Sequence, residues 1–542
     1  MNELGLPATD GDFRYRKLIE LGIALSSERD HDRLMEMILL GAKEFTNADG
    51  GTLYLRTEDN RLAFEIMRND SLGIAMGGTT GKEIPFPPLA LHDETGQPNR
   101  RNVATCAAID AATINIEDAY DVDKFDFSGT KKFDAGTGYR SKSFLTVPLK
   151  NHKGEVIGVL QLINARDPGG AVIGFGHDVT PLIEALASQA AVALDNQNLL
   201  EAQKNLLDSF IQVIAGAIDA KSPYTGGHCQ RVPVLTEMLA RAAAAANEGP
   251  FADFNLTDDG WYELHLAAWL HDCGKVTTPE YVVDKSTKLE TIYDRIHTVT
   301  TRFAALKREA EVACLRGIMA GGDAEELRAA YERESADLDA DRRFLEEINV
   351  GGEFMAPDKL ERLAAIAKRR WHDADGTERP LLDENEVANL SIARGTLTDD
   401  ERKVINDHIV LTIRMLEQLP FPKHLRHVVE YAGGHHEKMD GTGYPHGLKR
   451  EEMSVPARVM AIADIFEALT AADRPYKKPK TLSEALRIMS FMRKDQHIDP
   501  DLFDLFLTSG VYRSYAERFL SSDQIDDVDV NQYLSRPRQG TA

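Results

Sequence analysis

Near the start of the chain, apolar residues fall at helical spacing, and Leu18, Leu21, Ile23, Leu34, Met37 and Leu40 mark an amphipathic helix. The pattern then shortens. GGTLYLR (50–56) and RLAFEIMR (61–68) predict strands. SFLTVPLK (143–150), a turn at Asn151–Gly154 and EVIGVLQLINA (155–165) predict a hairpin, with Val147-Pro148 tolerable near a strand end. Residues 13–170 thus read as an α/β unit at the head of an α+β chain. From 178 to 220, Leu182, Ile183, Leu186, Ala190, Leu194, Leu199, Leu206, Phe210 and Val213 trace a long helix. At about 1.5 Å per residue it would span roughly 60 Å. A helix that long needs a partner for its apolar stripe. A parallel homodimer is the simplest partner; folding back onto its own domain is the alternative.

A second patterned segment covers 286–390. Leu289, Ile292, Ile296, Val299, Phe303, Leu306, Ala310 and Ala313 alternate in steps of three and four, which is a heptad seam. Gly321-Gly322 breaks it, and Tyr331, Leu338 and Leu345 recur every seven residues beyond. This predicts an inserted helical hairpin with solvated charges and no catalytic role.

Composition narrows the function classes. A chain of 542 residues holds two to four domains. Hydrophobic residues at 43% and charged residues at 28% describe a globular protein and exclude disorder as its general state. A formal net charge of -24 argues against binding a nucleic-acid polymer. A small anionic substrate stays possible, because bound metal ions reverse the field within a cleft. There is no membrane-spanning apolar run and no secretion-signal pattern, so the expected compartment is the cytoplasm. Cys106, Cys229, Cys273 and Cys314 are scattered, which argues against a disulfide framework and against a thiolate zinc site.

The chemistry lies in short islands after residue 220. They are TGGHCQRV with His228 and Arg231, WLHDCGK with His271, Asp272 and Lys275, and LTDDERKVINDH with His408. GGHHEKMDGTGYP follows with His435, His436 and Asp440, then VMAIADIFEALT with Asp464, then RPYKKPK with Arg474 and Lys477. A lone histidine is more often packed or solvated than a ligand. Asp464 is more telling, because a carboxylate in an apolar helix is costly unless paired or metal-bound. His435 and His436, adjacent on one helix, would point about 100° apart and so suit a cluster of more than one ion. Five imidazoles and two carboxylates without a thiolate favour iron, manganese or zinc over copper(I) or calcium. Asp272 can bridge two ions through its two oxygens. Two such ions stabilise the attacking and leaving oxygens of an in-line phosphoester displacement. Lys275, Arg474 and Lys477 can neutralise phosphate oxygens. Gly441 and Gly443 permit tight turns, and Pro445 fixes the exit.

Two resemblances follow from these residues. INIEDAY (114–120), KFD (124–126), TGYRSKSFLTVPLK (137–150) and GEVIGVLQLINA (154–165) resemble a GAF domain, nearest to those of cyclic-nucleotide phosphodiesterases. This implies a sensor fold, with a small molecule or cyclic nucleotide as a possible ligand. HDCGK, HHEKMDGTGYP and AIADIFEALT...RPYK resemble the HD-GYP subgroup of HD-domain phosphohydrolases, over about 205–290 and 393–515 within a domain bounded at 205–520. That likeness implies an all-helical fold and hydrolysis of cyclic di-GMP to the linear dinucleotide or GMP. By position it implies metal ligands at His228, His271, Asp272, His408, His435, His436 and Asp464. It puts phosphate contacts at Lys275, Arg474 and Lys477, and a substrate-side or partner-binding loop at Gly443-Tyr444-Pro445. Some family members carry a third metal on a glutamate four residues before the first histidine. Tyr224 stands there, so two divalent ions, iron or manganese, are expected. Hydrolysis of another cyclic dinucleotide such as cyclic GMP-AMP is one alternative. A slow nucleotide sensor acting through partner proteins is another.

Overall fold

A computed structural model describes residues 10–221, 227–352, 354–472 and 479–535. The chain divides into two compact units, Met1–Leu206 and Leu207–Ala542.

The first unit opens with two helices, α1 (Asp10–Ser27) and α2 (His31–Thr46). One helix was expected here. The Asp30 side chain caps Arg33 N–H and starts a new one, and Ile23 and Leu40 lie exposed. An antiparallel sheet follows, built of β1 (Ala48–Arg56), β2 (Arg61–Asn69), β3 (Ile74–Gly77), β4 (Leu89–Ala90), β5 (Ile114–Ile116), β6 (Phe144–Lys150), β7 (Val156–Arg166) and β8 (Val172–Ile173). Its order is β3-β2-β1-β7-β6-β5, with β4 beside β2 and β8 beside β7. Alternation along the strands sorts the faces. Leu53, Leu160 and Leu162 pack with Leu34, Ile38 and Leu39 of α2 and with Ile183, Leu186 and Ala190 of α5 (Thr180–Lys221). Tyr54 and Val159 face the other way, onto Ala104 and Ala107 of α3 (Val103–Asp110). A short helix, α4 (Ser128–Thr137), precedes the β6–β7 hairpin, which falls where the sequence predicts it.

The second unit is helical. It comprises the end of α5, α6 (His228–Ala244), α7 (Asp258–Leu270), α8 (Glu280–Val283), α9 (Ile296–Met319), α10 (Ala324–Asn349), α11 (Pro357–Ala367), α12 (Glu384–Leu390) and α13 (Asp399–Glu417). It continues with α14 (Val428–Gly433), α15 (Val455–Thr470), α16 (Leu482–Lys494), α17 (Pro500–Thr508) and α18 (Val511–Phe519). Val232, Leu239, Leu266, Leu270, Ile462, Phe466 and Phe506 belong to its core.

The insertion is more than a hairpin. α9 and α10 pair around a turn at Gly321 (φ +90°), but α11, α12 and a small sheet of β9 (Arg370–His372) and β10 (Glu378–Pro380) complete it. Its core gathers Leu289, Val299, Phe303, Leu338, Leu345, Leu363 and Leu381. The expected seam fails at both ends. Ile292 precedes the helix and is 97% exposed, and Cys314 rather than Ala313 turns inward. Two buried lysines tie the stem. Lys285 Nζ reaches Asn389 Oδ1 (2.8 Å) and Glu401 (2.7 Å), and Lys288 Nζ reaches the carbonyls of Leu390 (3.0 Å) and Ile392 (2.8 Å).

Candidate metal centre

All seven proposed ligands come together, from five places in the second unit. His228 is the first residue of α6, and His271 and Asp272 follow the end of α7. His408 lies in α13 and Asp464 in α15. His435 and His436 were expected on a helix. They sit instead in the turn after α14, which ends at Gly433 and so frees both rings to face the centre.

The ligands form two groups. One is His228, His271, Asp272 and Asp464; the other is His408, His435 and His436; candidate donor atoms within each lie within 4.8 Å of one another. Asp272 spans them. Its Oδ2 lies 3.3 Å from both His228 Nε2 and His271 Nε2, and its Oδ1 lies 3.2 Å from His408 Nε2. Asp464 Oδ1 stands 3.3 Å from His228 Nε2, and His436 Nε2 stands 3.2 Å from His408 Nε2.

The backbone fixes which nitrogen each ring presents. His271 Nδ1 contacts the Ala268 carbonyl at 2.8 Å, His435 Nδ1 the Ala432 carbonyl at 2.7 Å, and His408 Nδ1 the Ile405 carbonyl. A carbonyl only accepts, so each Nδ1 carries the hydrogen and each Nε2 presents a lone pair inward. Yet the buried Nε2 atoms of His228, His271 and His435 and the Oδ1 of Asp272 have no hydrogen-bond partner. Unsatisfied buried polar atoms are rare and costly. Four of them converging, with hard and borderline donors and no thiolate, fit divalent metal ions.

The electrostatics agree at His435 and His436; at His228 burial favours the neutral ring, but Asp272, Asp464 and Glu467 outweigh it and raise its pKa in the metal-free protein. Burial pushes His435 down to about 4, so it stands neutral as a ligand must. Burial and His435 likewise lower His436. Burial alone would raise Asp464, but the contact and charge of His228 hold it below the ordinary carboxylate range. Burial would also raise Asp272; Lys275 and His271 hold it well below.

Lys275 Nζ lies 2.5 Å from Asp272 Oδ2, so in this structure it pairs with a ligand. Tyr444 stacks on His436, ring centres 4.9 Å apart at 17°, which sets the Gly443-Tyr444-Pro445 loop against the second group. Gly441 has φ +82°. Gly443 is needed for space, since a Cβ there would fall 2.4 Å from Lys438 N. Arg474, Lys477 and Tyr224 lie outside the described residues.

Three supporting residues carry no role in the sequence reading. Glu467 receives His228 Nδ1 on one oxygen and Arg231 Nε (2.7 Å) on the other, fixing the His228 ring. Its signal was available: an acid one turn after Asp464 in an apolar helix. Glu437 is fully buried and accepts the N–H groups of His446 (2.7 Å), Gly447 (3.2 Å) and Leu448 (2.9 Å), which shapes the loop. Gly274 lets α13 approach, because a Cβ there would fall 2.0 Å from the His408 carbonyl oxygen.

Comparison with known proteins divides the chain the same way. A GAF domain model matches residues 30–194, and an HD domain model matches residues 385–502. The chain joins a GAF domain to an HD domain. The HD match takes in His408, His435, His436 and Asp464; the other three ligands lie N-terminal to it, beyond the insertion. A "Cyclic di-GMP phosphodiesterase" of Pseudomonas aeruginosa is 40% identical over 119 residues, 22% of this chain and 28% of that protein. A "3'3'-cGAMP-specific phosphodiesterase 1" of Vibrio cholerae is 42% identical over 83 residues, 15% and 19% of the two chains. A second Vibrio cholerae protein, "3'3'-cGAMP-specific phosphodiesterase 3", is 26% identical over 315 residues, 56% and 41%. The chain thus spans at most 41% of the length of these relatives. The GAF domain of an Acinetobacter phosphoenolpyruvate-protein phosphotransferase aligns at 14% identity and TM-score 0.26, over 35% of this chain and 98% of its own. No helix among the described residues is long and apolar enough to cross a membrane.

Proposed function

We propose that the HD domain is a metal-dependent phosphodiesterase that hydrolyses a cyclic dinucleotide, with cyclic di-GMP as the leading substrate and the linear dinucleotide or GMP as product. The observation that carries this is the centre itself: two ligand groups sharing Asp272, with buried nitrogens and an oxygen that lack partners. His228, His271, Asp272 and Asp464 would hold one divalent ion, and His408, His435 and His436 with Asp272 the other; iron or manganese suits the donor set. Such a pair supplies charge stabilisation to the attacking and leaving oxygens of an in-line displacement. The protein's part is preorganisation. Backbone carbonyls and Glu467 orient the imidazoles, and Tyr444 covers His436. Lys275 stays an ammonium, because Asp272 outweighs the burial that disfavours its charge, and that charge can serve a bound phosphate. Arg474, Lys477 and the Gly443-Tyr444-Pro445 loop are proposed to complete substrate binding, and the loop is a candidate contact for signalling partners.

The GAF domain is proposed as the regulatory input, with a small-molecule ligand. Exposed Leu199, Leu200, Leu206, Phe210 and Val213 on α5 support a homodimer through that helix. Four free, buried cysteines suit a reducing compartment, as the cytoplasm is.

The test is product analysis. The full chain, reconstituted anaerobically with manganese or ferrous iron, is incubated with cyclic di-GMP and the products are resolved. Linear dinucleotide or GMP is expected; no product with metal occupancy confirmed would overturn the reading. Relatives named for 3'3'-cGAMP favour a second substrate, so the same assay is run with that dinucleotide.

A further inference from the structure

The last turn of α5 ends on two charged side chains that grip the segments on either side of the metal centre. Asp219 is buried, and its carboxylate accepts the backbone N–H groups of Gly227 (3.1 Å) and Cys229 (3.4 Å). These amides belong to the first turn of α6, where no intrahelical acceptor exists, and the residue between them is His228. Lys221, two residues on, reaches elsewhere. Its Nζ donates to the carbonyls of Lys275 (3.4 Å), Val276 and Thr278 (2.7 Å). An ammonium has three donors, and three carbonyls meet them. A lysine at a helix C-terminus ordinarily serves the last carbonyls of its own helix; Lys221 serves the turn Cys273–Thr277, which carries Lys275 and directly follows His271-Asp272. A cavity of about 20 Å³, room for about one water, is bounded by Ile218, Asp219 and Lys221 together with His228, Asp272 and Lys275. The end of α5 is therefore the wall behind the first ligand group.

We propose that Asp219 and Lys221 are positioning residues that couple the register of α5 to the metal centre. Asp219 places His228, and Lys221 places Asp272 and Lys275. A rotation or shift of the last turn of α5 moves both segments, and with them the separation of ligands that must share one ion. The proposal rests on reading the centre as a metal site, and it names how that site is regulated.

The first test needs no activity. In the metal-free full chain, Asp219→Ala should speed hydrogen exchange at the amides of Gly227 and Cys229, and Lys221→Met at those of Lys275 and Thr278, each about tenfold or more, with Lys221→Arg intermediate. The second reads function. Lys221→Met should lower kcat about 10–100-fold, as losses of outer metal-site partners do, with KM within about twofold. A one-residue insertion after Glu201 turns the helix by about 100°. It should change kcat in the parent and far less in the Asp219→Ala, Lys221→Met double variant. Unchanged exchange in both single variants, or an insertion effect of equal size in parent and double variant, would overturn the coupling. Faster exchange in the variants, with a parent that hydrolyses no dinucleotide, would sink the proposed function and leave the clamp standing.

Discussion

Asp49 of the GAF domain and Asp272 of the helical second unit are almost equally withdrawn from water, at 1% and 2% exposure. Their surroundings differ. Asp49 receives Arg166 and the Ser71 N–H (3.1 Å) on Oδ1 and the Tyr139 hydroxyl (2.5 Å) on Oδ2, so both oxygens are satisfied by the protein. Asp272 receives Lys275 on Oδ2, while Oδ1 has no hydrogen bond and faces an imidazole lone pair. The first arrangement cross-links strands and loops. The second is not closed by protein groups alone, and its donor set fits a divalent cation. Burial marks neither role; the pairing of the buried atoms does.

The comparison breaks most visibly at Asp272. Asp272→Ala or His271→Ala should abolish measurable turnover, a loss beyond the 10–100-fold of outer partners, with helical circular dichroism retained. Residual activity in both would undo the site assignment. Asp49→Ala should do the reverse, destabilising the GAF domain by about 3 kcal/mol in urea unfolding with metal content of the HD domain unchanged. Metal should discriminate between the two domains. At about a hundred times its dissociation constant it adds roughly 2.7 kcal/mol to whatever binds it. The HD transition in calorimetry should therefore rise with manganese while the GAF transition stays put. Glu467→Gln keeps the size of the side chain but loses its charge beside His228 and Arg231. Metal affinity by chelator competition should fall about 10–100-fold, with Asp464 and the fold intact. The smallest effect belongs to Ile292. Ile292→Ser should change stability by less than about 0.5 kcal/mol, whereas Phe303→Ala in the core of the same insertion should cost about 3–5 kcal/mol.

That last contrast shows what the sequence could carry. Heptad spacing finds Val299, Phe303, Leu338 and Leu345 because helix period and burial coincide there. It misplaces Ile292, because periodicity does not see where a helix begins. The break between α1 and α2 is likewise a local capping event at Asp30 that the apolar pattern passes over. The candidate ligands were legible as candidates because each sits in a short island of distinctive type. Their division into two groups about Asp272 was not, since it depends on how α6, α7, α13 and α15 converge from positions nearly 240 residues apart. Glu437, Asp219 and Lys221 look like ordinary surface charges in the sequence, and Glu467 shows there only as an acid in an apolar helix. Their roles arise from backbone and ring atoms that only the fold brings near.

Seven residues are proposed to build a centre for two divalent ions. Metal analysis of the full chain, purified anaerobically and reconstituted with manganese or iron, tests this most directly. Two tightly bound ions per chain are expected, falling to one or fewer in Asp272→Ala. No tightly bound ion, or three with Asp464 intact, would contradict it.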